Sequence, residues 1–416
     1  MTAIPSPRTL SHRMPTLSRG ASFWMLVATL GFLLFASSAP SPLYIVYQAK
    51  WHFSPITLTS VFAVYAVALL LALIFAGSLS DRVGRRPVLL GALAVQLVAM
   101  VLFGLAHGVG ALFAARIVQG VATGVGMGAI SAALIDLAPK HRPHLGAVLS
   151  AAAPPFGLAL GALGSGLLVE YAPDPLRLVY WLLTGVFVLA IAGTLAMPET
   201  VQRSAGASLR STFSPSIGIP PQARASFLAG APVLLATWAL GGLYLSLGPS
   251  LVAGVLGNSS HVIGALVVVA VAGTGSIASL LVANRHPSHV LIGGALALAL
   301  GIGITLLGLN DGITSLFFIG SVIAGVGFGA GFSGGFKSTV SLAPPTERAS
   351  LVAAVYVLCY GGFSIPAVAA GVAVSHAGLL ATTNVYGSVL VVLALGAAAA
   401  TLARHRRATA TAAVAA

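Results

Sequence analysis

Two apolar runs, 56–79 and 87–106, flank one short charged turn, Gly77-Ser78-Leu79-Ser80-Asp81-Arg82-Val83-Gly84-Arg85-Arg86. Each run can cross a bilayer, because a crossing takes about 20 apolar residues at roughly 1.5 Å per residue. The pair therefore reads as a helix–turn–helix hairpin whose tip lies in water. Arg82, Arg85 and Arg86 would hold that tip on the cytoplasmic side. Asp81, the one acid of the turn, can pair with an arginine or sit against a helix N-terminus. Gly84 can take the positive φ of a tight turn, and Gly77, lacking Cβ, lets another helix approach.

The rest of the chain repeats this plan. Apolar spans are expected at 21–47, 56–80, 87–106, 110–136, 145–170 and 176–197, and again at 226–253, 261–283, 288–309, 313–336, 349–375 and 381–403. The chain is 58% hydrophobic and only 6% charged, which is the composition of a polytopic helical membrane protein. The expected division is a cytoplasmic tail (1–20), a six-helix bundle (21–200), a Ser/Pro/Arg-rich linker (201–224), a second six-helix bundle (225–404) and a second tail (405–416). With both termini in the cytoplasm, 17 of the 20 basic residues fall on the inside. Lys50 and Arg177 fall outside, and Arg116 lies within a span. That bias fixes the orientation by the positive-inside rule and explains the +13 net charge without nucleic acid. The lone cysteine, Cys359, allows no intrachain disulfide.

The two halves also repeat in sequence. Gly120-Val121, Gly124 and Leu137-Ala138-Pro139 recur as Gly325-Val326, Gly329 and Leu342-Ala343-Pro344, at a constant offset of 205. Asp81-Arg82 and Gly91-Ala92-Leu93-Ala94 recur as Asn284-Arg285 and Gly294-Ala295-Leu296-Ala297, at an offset of 203. Each half holds six spans, so the repeats share one orientation and are related by an axis along the membrane normal.

The turn fits the pattern G-x-L-[AS]-D-R-x-G-R-[RK] and resembles motif A, the loop 2–3 signature of the major facilitator superfamily. The resemblance implies an all-α integral membrane fold of twelve helices in two pseudo-symmetric bundles around a central cavity. In motif content the chain is closest to the drug:proton antiporters. The resemblance also implies that Asp81 latches the hairpin to the other bundle, near the start of span eleven, in the outward-facing state. The string Arg116-Ile117-Val118-Gln119-Gly120 looks like motif B, whose arginine faces the transport path and is linked to proton movement. In span five, Pro154, Pro155, Gly157 and Gly161 loosely resemble motif C, although Pro154 stands where that motif has glycine. Met197-Pro198-Glu199-Thr200 resembles the element that ends helix six.

Arg116, Gln119 and Thr123 share one helical face by their spacing. An arginine inside a span is a functional candidate, with a structural snorkelling arginine as the alternative. Gly120, Gly124 and Gly128 form a stripe suited to close helix packing. All seven acids lie at span ends or in loops, so no mid-membrane carboxylate is available to carry a proton. Glu170 and Asp136 are the nearest. Tyr65, Trp238, Tyr244, Tyr356 and Tyr360 are candidates to line an aromatic cavity, or simply to pack helices. No metal-spaced His/Cys cluster, Walker sequence or G-x-S-x-G is present.

The expected function is therefore secondary transport of a small molecule by a monomer in the plasma (bacterial inner) membrane, with no cofactor and no enzyme activity. Proton-coupled efflux of a drug-like or amphipathic compound is the leading form. The alternative is uptake or facilitated exchange of a small metabolite, with Arg116 as counter-charge to an anion.

Overall fold

The computed structural model describes residues 17–77, 79–201, 217–344 and 346–415, with side chains as far as 404. Among these, twelve helices are long and apolar enough to cross a membrane. The first six are Arg19–Trp51, Pro55–Ala76, Arg85–Gly104, Val109–Leu137, Leu145–Tyr171 and Leu178–Ala196. The second six are Pro221–Gly254, His261–Leu281, Pro287–Asn310, Thr314–Val340, Arg348–Ala377 and Leu379–Arg404.

Local chemistry sets several of these starts. Ser18, Ser54 and Ser260 each accept a backbone N–H of the first turn that has no intrahelical partner. Prolines open spans two, seven and nine, where the missing N–H costs nothing. Span one is two helices, Arg19–Ser38 and Pro40–Trp51, joined at Ala39. Its Ser37, Ser38, Pro40, Ser41 and Pro42 are all buried in protein. Span eight carries a π-helical turn, Val269–Gly273.

Two sequence expectations change. Span seven starts at Pro221, so the last residues assigned to the linker are helical; 202–216 lie outside the described residues. The last helix runs on to Ala415, so 405–415 continue span twelve instead of forming a separate tail. The physical reason is composition: alanine and arginine are strong helix formers, and no Gly or Pro interrupts them. Most of the N-terminal tail, including Arg8 and Arg13, lies outside the described residues.

Close backbone packing builds each half. Added methyl groups at Gly120 and Gly124 would run into the Tyr65 and Leu69 carbonyls of span two, whereas Gly128 has open space. Gly157 and Gly161 sit likewise against the Gly31 and Phe35 carbonyls of span one. Gly77 is not such a contact: the backbone it faces is Leu73 of its own helix.

The halves meet along a seam on the face opposite the Asp81 hairpin. Ser41 donates to the Leu245 carbonyl, Gly371 packs on Thr59, and the Phe62 and Phe363 rings lie 4.9 Å apart. The fifth–eighth contact runs deeper, to Ser276 Oγ donating to the Ala152 carbonyl at 3.0 Å.

The hairpin itself is held within its own half. Asp81 pairs with Arg85, whose Nε also meets Asp136 Oδ2 at 3.2 Å and whose Nη1 donates to Ser80 at 2.8 Å. Glu199, from the end of span six, accepts the backbone N–H groups of Arg85 at 2.9 Å and Arg86 at 3.0 Å. A carboxylate thus caps the N-terminus of span three, where it also meets the positive end of the helix dipole. The Arg86 side chain donates to the Leu195 carbonyl. Arg82 also has an interaction partner.

Gly84 makes this cap possible. Its φ is +110°, and a Cβ there would lie 2.7 Å from Glu199 Oε2. Gly84→Ala should lower stability by about 1–3 kcal/mol, because it strains the backbone and displaces the cap. Gly91→Ala, at a helical position with nothing within 4 Å, should be neutral or slightly stabilising. Thermal unfolding of the two purified variants checks the contrast.

Candidate functional site

Arg116 is 0% exposed. Its Nε donates to Tyr44 Oη at 2.9 Å, and Nη2 donates to the same oxygen. Its Nη1 donates to the Ser37 carbonyl at 2.9 Å and to Gln119 Oε1 at 2.7 Å. The Tyr65, Tyr44 and Phe103 rings lie 5.1, 5.5 and 5.7 Å from the guanidinium carbon. Gln119 donates in turn to the Ala36 carbonyl at 2.9 Å, and Tyr65 donates to Ser37 Oγ at 2.7 Å. Arg116, Gln119 and Tyr65 thus join one network with the bend of span one. Thr123, on the same face, is buried with its hydroxyl unpaired.

Every acceptor in this network is neutral. A central arginine costs about 2.5–3.5 kcal/mol on insertion scales. Charge-assisted hydrogen bonds are worth about 1.5–3 kcal/mol each, so four of them, with ring faces behind, suffice to hold the charge. Tyr44 was not singled out from the sequence. Its only signal was position, just past a Pro-rich break in span one.

The second half holds a reduced copy of the arrangement. Tyr244 and Ser321 share a 2.8 Å hydrogen bond, and Ser321 is the repeat counterpart of Arg116 at the 205 offset. Tyr244 is buried there and stacks parallel to Phe317 at 6.3 Å.

Trp238, Tyr356 and Tyr360 come together in a different place. Trp238 meets Tyr360 edge-on at 4.6 Å, Phe332 at 5.8 Å and Tyr356 at 6.4 Å. Phe336 adjoins Tyr356 at 6.1 Å. Tyr360 leads through Phe363 to Phe62 of the other half, so the aromatic wall ends at the seam. Phe332 and Phe336 were not singled out from the sequence, although they sit four residues apart on one face of span ten.

The hydroxyl groups separate these tyrosines from the others that are shielded from solvent. Tyr44, Tyr47, Tyr65, Tyr180, Tyr244 and Tyr386 are each hydrogen-bonded. Among the described residues, neither Tyr356 nor Tyr360 has a hydroxyl partner. Neither hydroxyl is among the enclosed polar atoms that lack a partner, so each oxygen reaches open space.

Glu170 is not part of the Arg116 network. It stands at the end of span five, where its Oε2 accepts the backbone N–H of His261 at 2.8 Å and contacts His261 Nδ1 at 3.1 Å. Pro154 and Pro155 remain inside one continuous helix, Leu145–Tyr171. Asp136 and Glu199 were read as span-end acids, and the structure places both on the arginine hairpin. Among the described residues no group of three or more His, Cys, Asp or Glu could hold a metal.

Residues 25–286 match the Major Facilitator Superfamily. The chain belongs to that superfamily. A crystal structure of the nucleoside transporter NupG is similar to it, with a TM-score of 0.70 and 13% identity, covering 91% of this chain and 99% of that one. At that identity the likeness is one of fold. The superfamily protein described here is an integral membrane transporter and not an enzyme.

In this transporter, Arg116→Met should be severely destabilising, by about 3 kcal/mol, because Tyr44, Gln119 and the Ser37 carbonyl would lose their donor. Arg116→Lys should lie between Met and the parent, since an ammonium cannot reproduce the planar fork. Thermal melting in detergent gives the order; equal melting of all three proteins would show that the network carries no stability.

Proposed function

We propose that this transporter exports a small amphipathic compound with a flat, largely apolar body, by alternating access and in exchange for protons. The observation that carries this reading is the pair of unpaired hydroxyls, Tyr356 and Tyr360, on an aromatic wall beside the seam. Aromatic faces favour planar groups, and the two phenols offer hydrogen bonds to a carbonyl, ether or ring nitrogen. The imperfect span-five motif and the apolar spans support export. Exchange of an anionic metabolite is less favoured, because Arg116 is enclosed by protein acceptors and offers no open face to cargo.

The orientation proposed is the one the basic residues support, with both termini and the Asp81 hairpin in the cytoplasm of a bacterial cell. The seam then closes the outer face, and the chain acts as a monomer with its path directed inward. In the opposite state, Asp81 would leave Arg85 and engage the start of span eleven. Its side chain is already 58% exposed, which leaves it free to exchange partners.

The test is flux of fluorescent aromatic amphiphiles across proteoliposomes with an imposed pH gradient. Tyr356→Phe/Tyr360→Phe should lower flux about tenfold, the cost of two neutral hydrogen bonds, while melting stays unchanged. Trp238→Ala should abolish it, and an ionophore should collapse it. Unaltered flux in the double variant would return the tyrosines to a packing role.

A further inference from the structure

The Glu170–His261 contact joins the halves, since Glu170 ends span five and His261 begins span eight. The carboxylate caps span eight from outside its own half: the helix starts at His261, and that residue's N–H points at Oε2. Gly166, one turn earlier on span five, lets this happen. A Cβ there would lie 2.6 Å from Ala265 Cβ and 3.0 Å from the His261 carbonyl. The two helix ends are thus closely packed, with an ionisable pair across the join.

We propose that Glu170 and His261 form a proton-binding latch, in which protonation of His261 holds this face of the transporter closed. This rests on the alternating-access reading above, and it assigns the proton a place at the seam and not beside the cargo. With His261 protonated the pair is Glu⁻ with HisH⁺, and the closed face gains an ion pair. With His261 neutral the carboxylate keeps the backbone N–H but loses the opposite charge.

The neighbouring groups leave His261 as the partner. Span one contributes Tyr44, Tyr47 and Lys50 on its second half. The Tyr44 hydroxyl accepts from Arg116, and Tyr47 bonds Tyr180 and the Leu176 carbonyl. On span seven Tyr244 is bonded to Ser321, and span six begins with Arg177 at its cap and Tyr180. Tyr171 and Asp174 follow Glu170 in the chain. Among the described residues, the ion pair of Glu170 is with His261.

The latch can be read by pulsed EPR on the full-length protein. Spin labels at Ala49→Cys and Ser375→Cys, in a Cys359→Ala background, report the opening between spans one and eleven without touching the pair. In the parent the ratio of short to long distances should rise about two- to fivefold from pH ~8 to ~5.5, the range for a partly exposed ion pair. His261→Gln should show no change with pH. Glu170→Gln should favour the long distance at both pH values. A parent ratio insensitive to pH, or a pH response that survives in His261→Gln, overturns the latch. Two distances in every sample but no pH response would overturn the latch alone. One fixed distance in every variant and condition would overturn alternating access with it.

Discussion

A full positive charge is enclosed in the first bundle without an anion in contact, and much of that bundle is arranged around it. The Arg116 guanidinium needs acceptors that hydrocarbon cannot supply. They come from a tyrosine hydroxyl, a glutamine and a carbonyl at the bend of span one. The bend is thus a source of ligands as well as a change of direction. Ser37 takes part twice, with its carbonyl facing Arg116 and its hydroxyl facing Tyr65. The close approach of spans two and four at Gly120 brings the Tyr65 backbone against the helix that carries the charge.

Ionic and neutral contacts are divided between regions. On the hairpin face, Asp81, Asp136 and Glu199 hold the arginine turn to the first half. Between the halves, backbone-close packing, hydroxyl-to-carbonyl bonds and aromatic contact predominate, with an ionisable contact at the fifth–eighth join. Such contacts can part without leaving an isolated buried charge, as a two-state element requires.

The spans, the two halves and the hairpin were legible because apolar length, repeat offset and charge position are local properties of the chain. The shared face of Arg116, Gln119 and Thr123 was legible for the same reason, being a matter of helical period. The partners were not. Tyr44 is 72 residues from Arg116, and nothing local marks it as an acceptor. Glu199 read as part of the element that ends helix six and Asp136 as a span-end acid near enough to carry a proton, until folding brings both to the hairpin. Glu170 showed its position near a span end but not that His261 of the other half would meet it. Tyr356 and Tyr360 read equally as cavity-lining or packing aromatics, because an unpaired hydroxyl is a property of surroundings and not of spacing. The helical continuation to Ala415 was present in the alanine content but was outweighed by the end of the apolar run.

The tyrosine–serine pair of the second half bears on how an ancestral duplication could diverge. Tyr244 already presents a hydroxyl to position 321, as Tyr44 does to position 116. Placing a guanidinium at 321 would therefore find one acceptor ready. It would not find the second, because the counterpart of Gln119 at the same offset is Ala324, fully buried. Charge acquisition by one half needs at least two coordinated changes, and the single-step intermediates are penalised by the bilayer. A lineage that has established its cation in one lobe is thereby resistant to moving it to the other, however symmetric the scaffold.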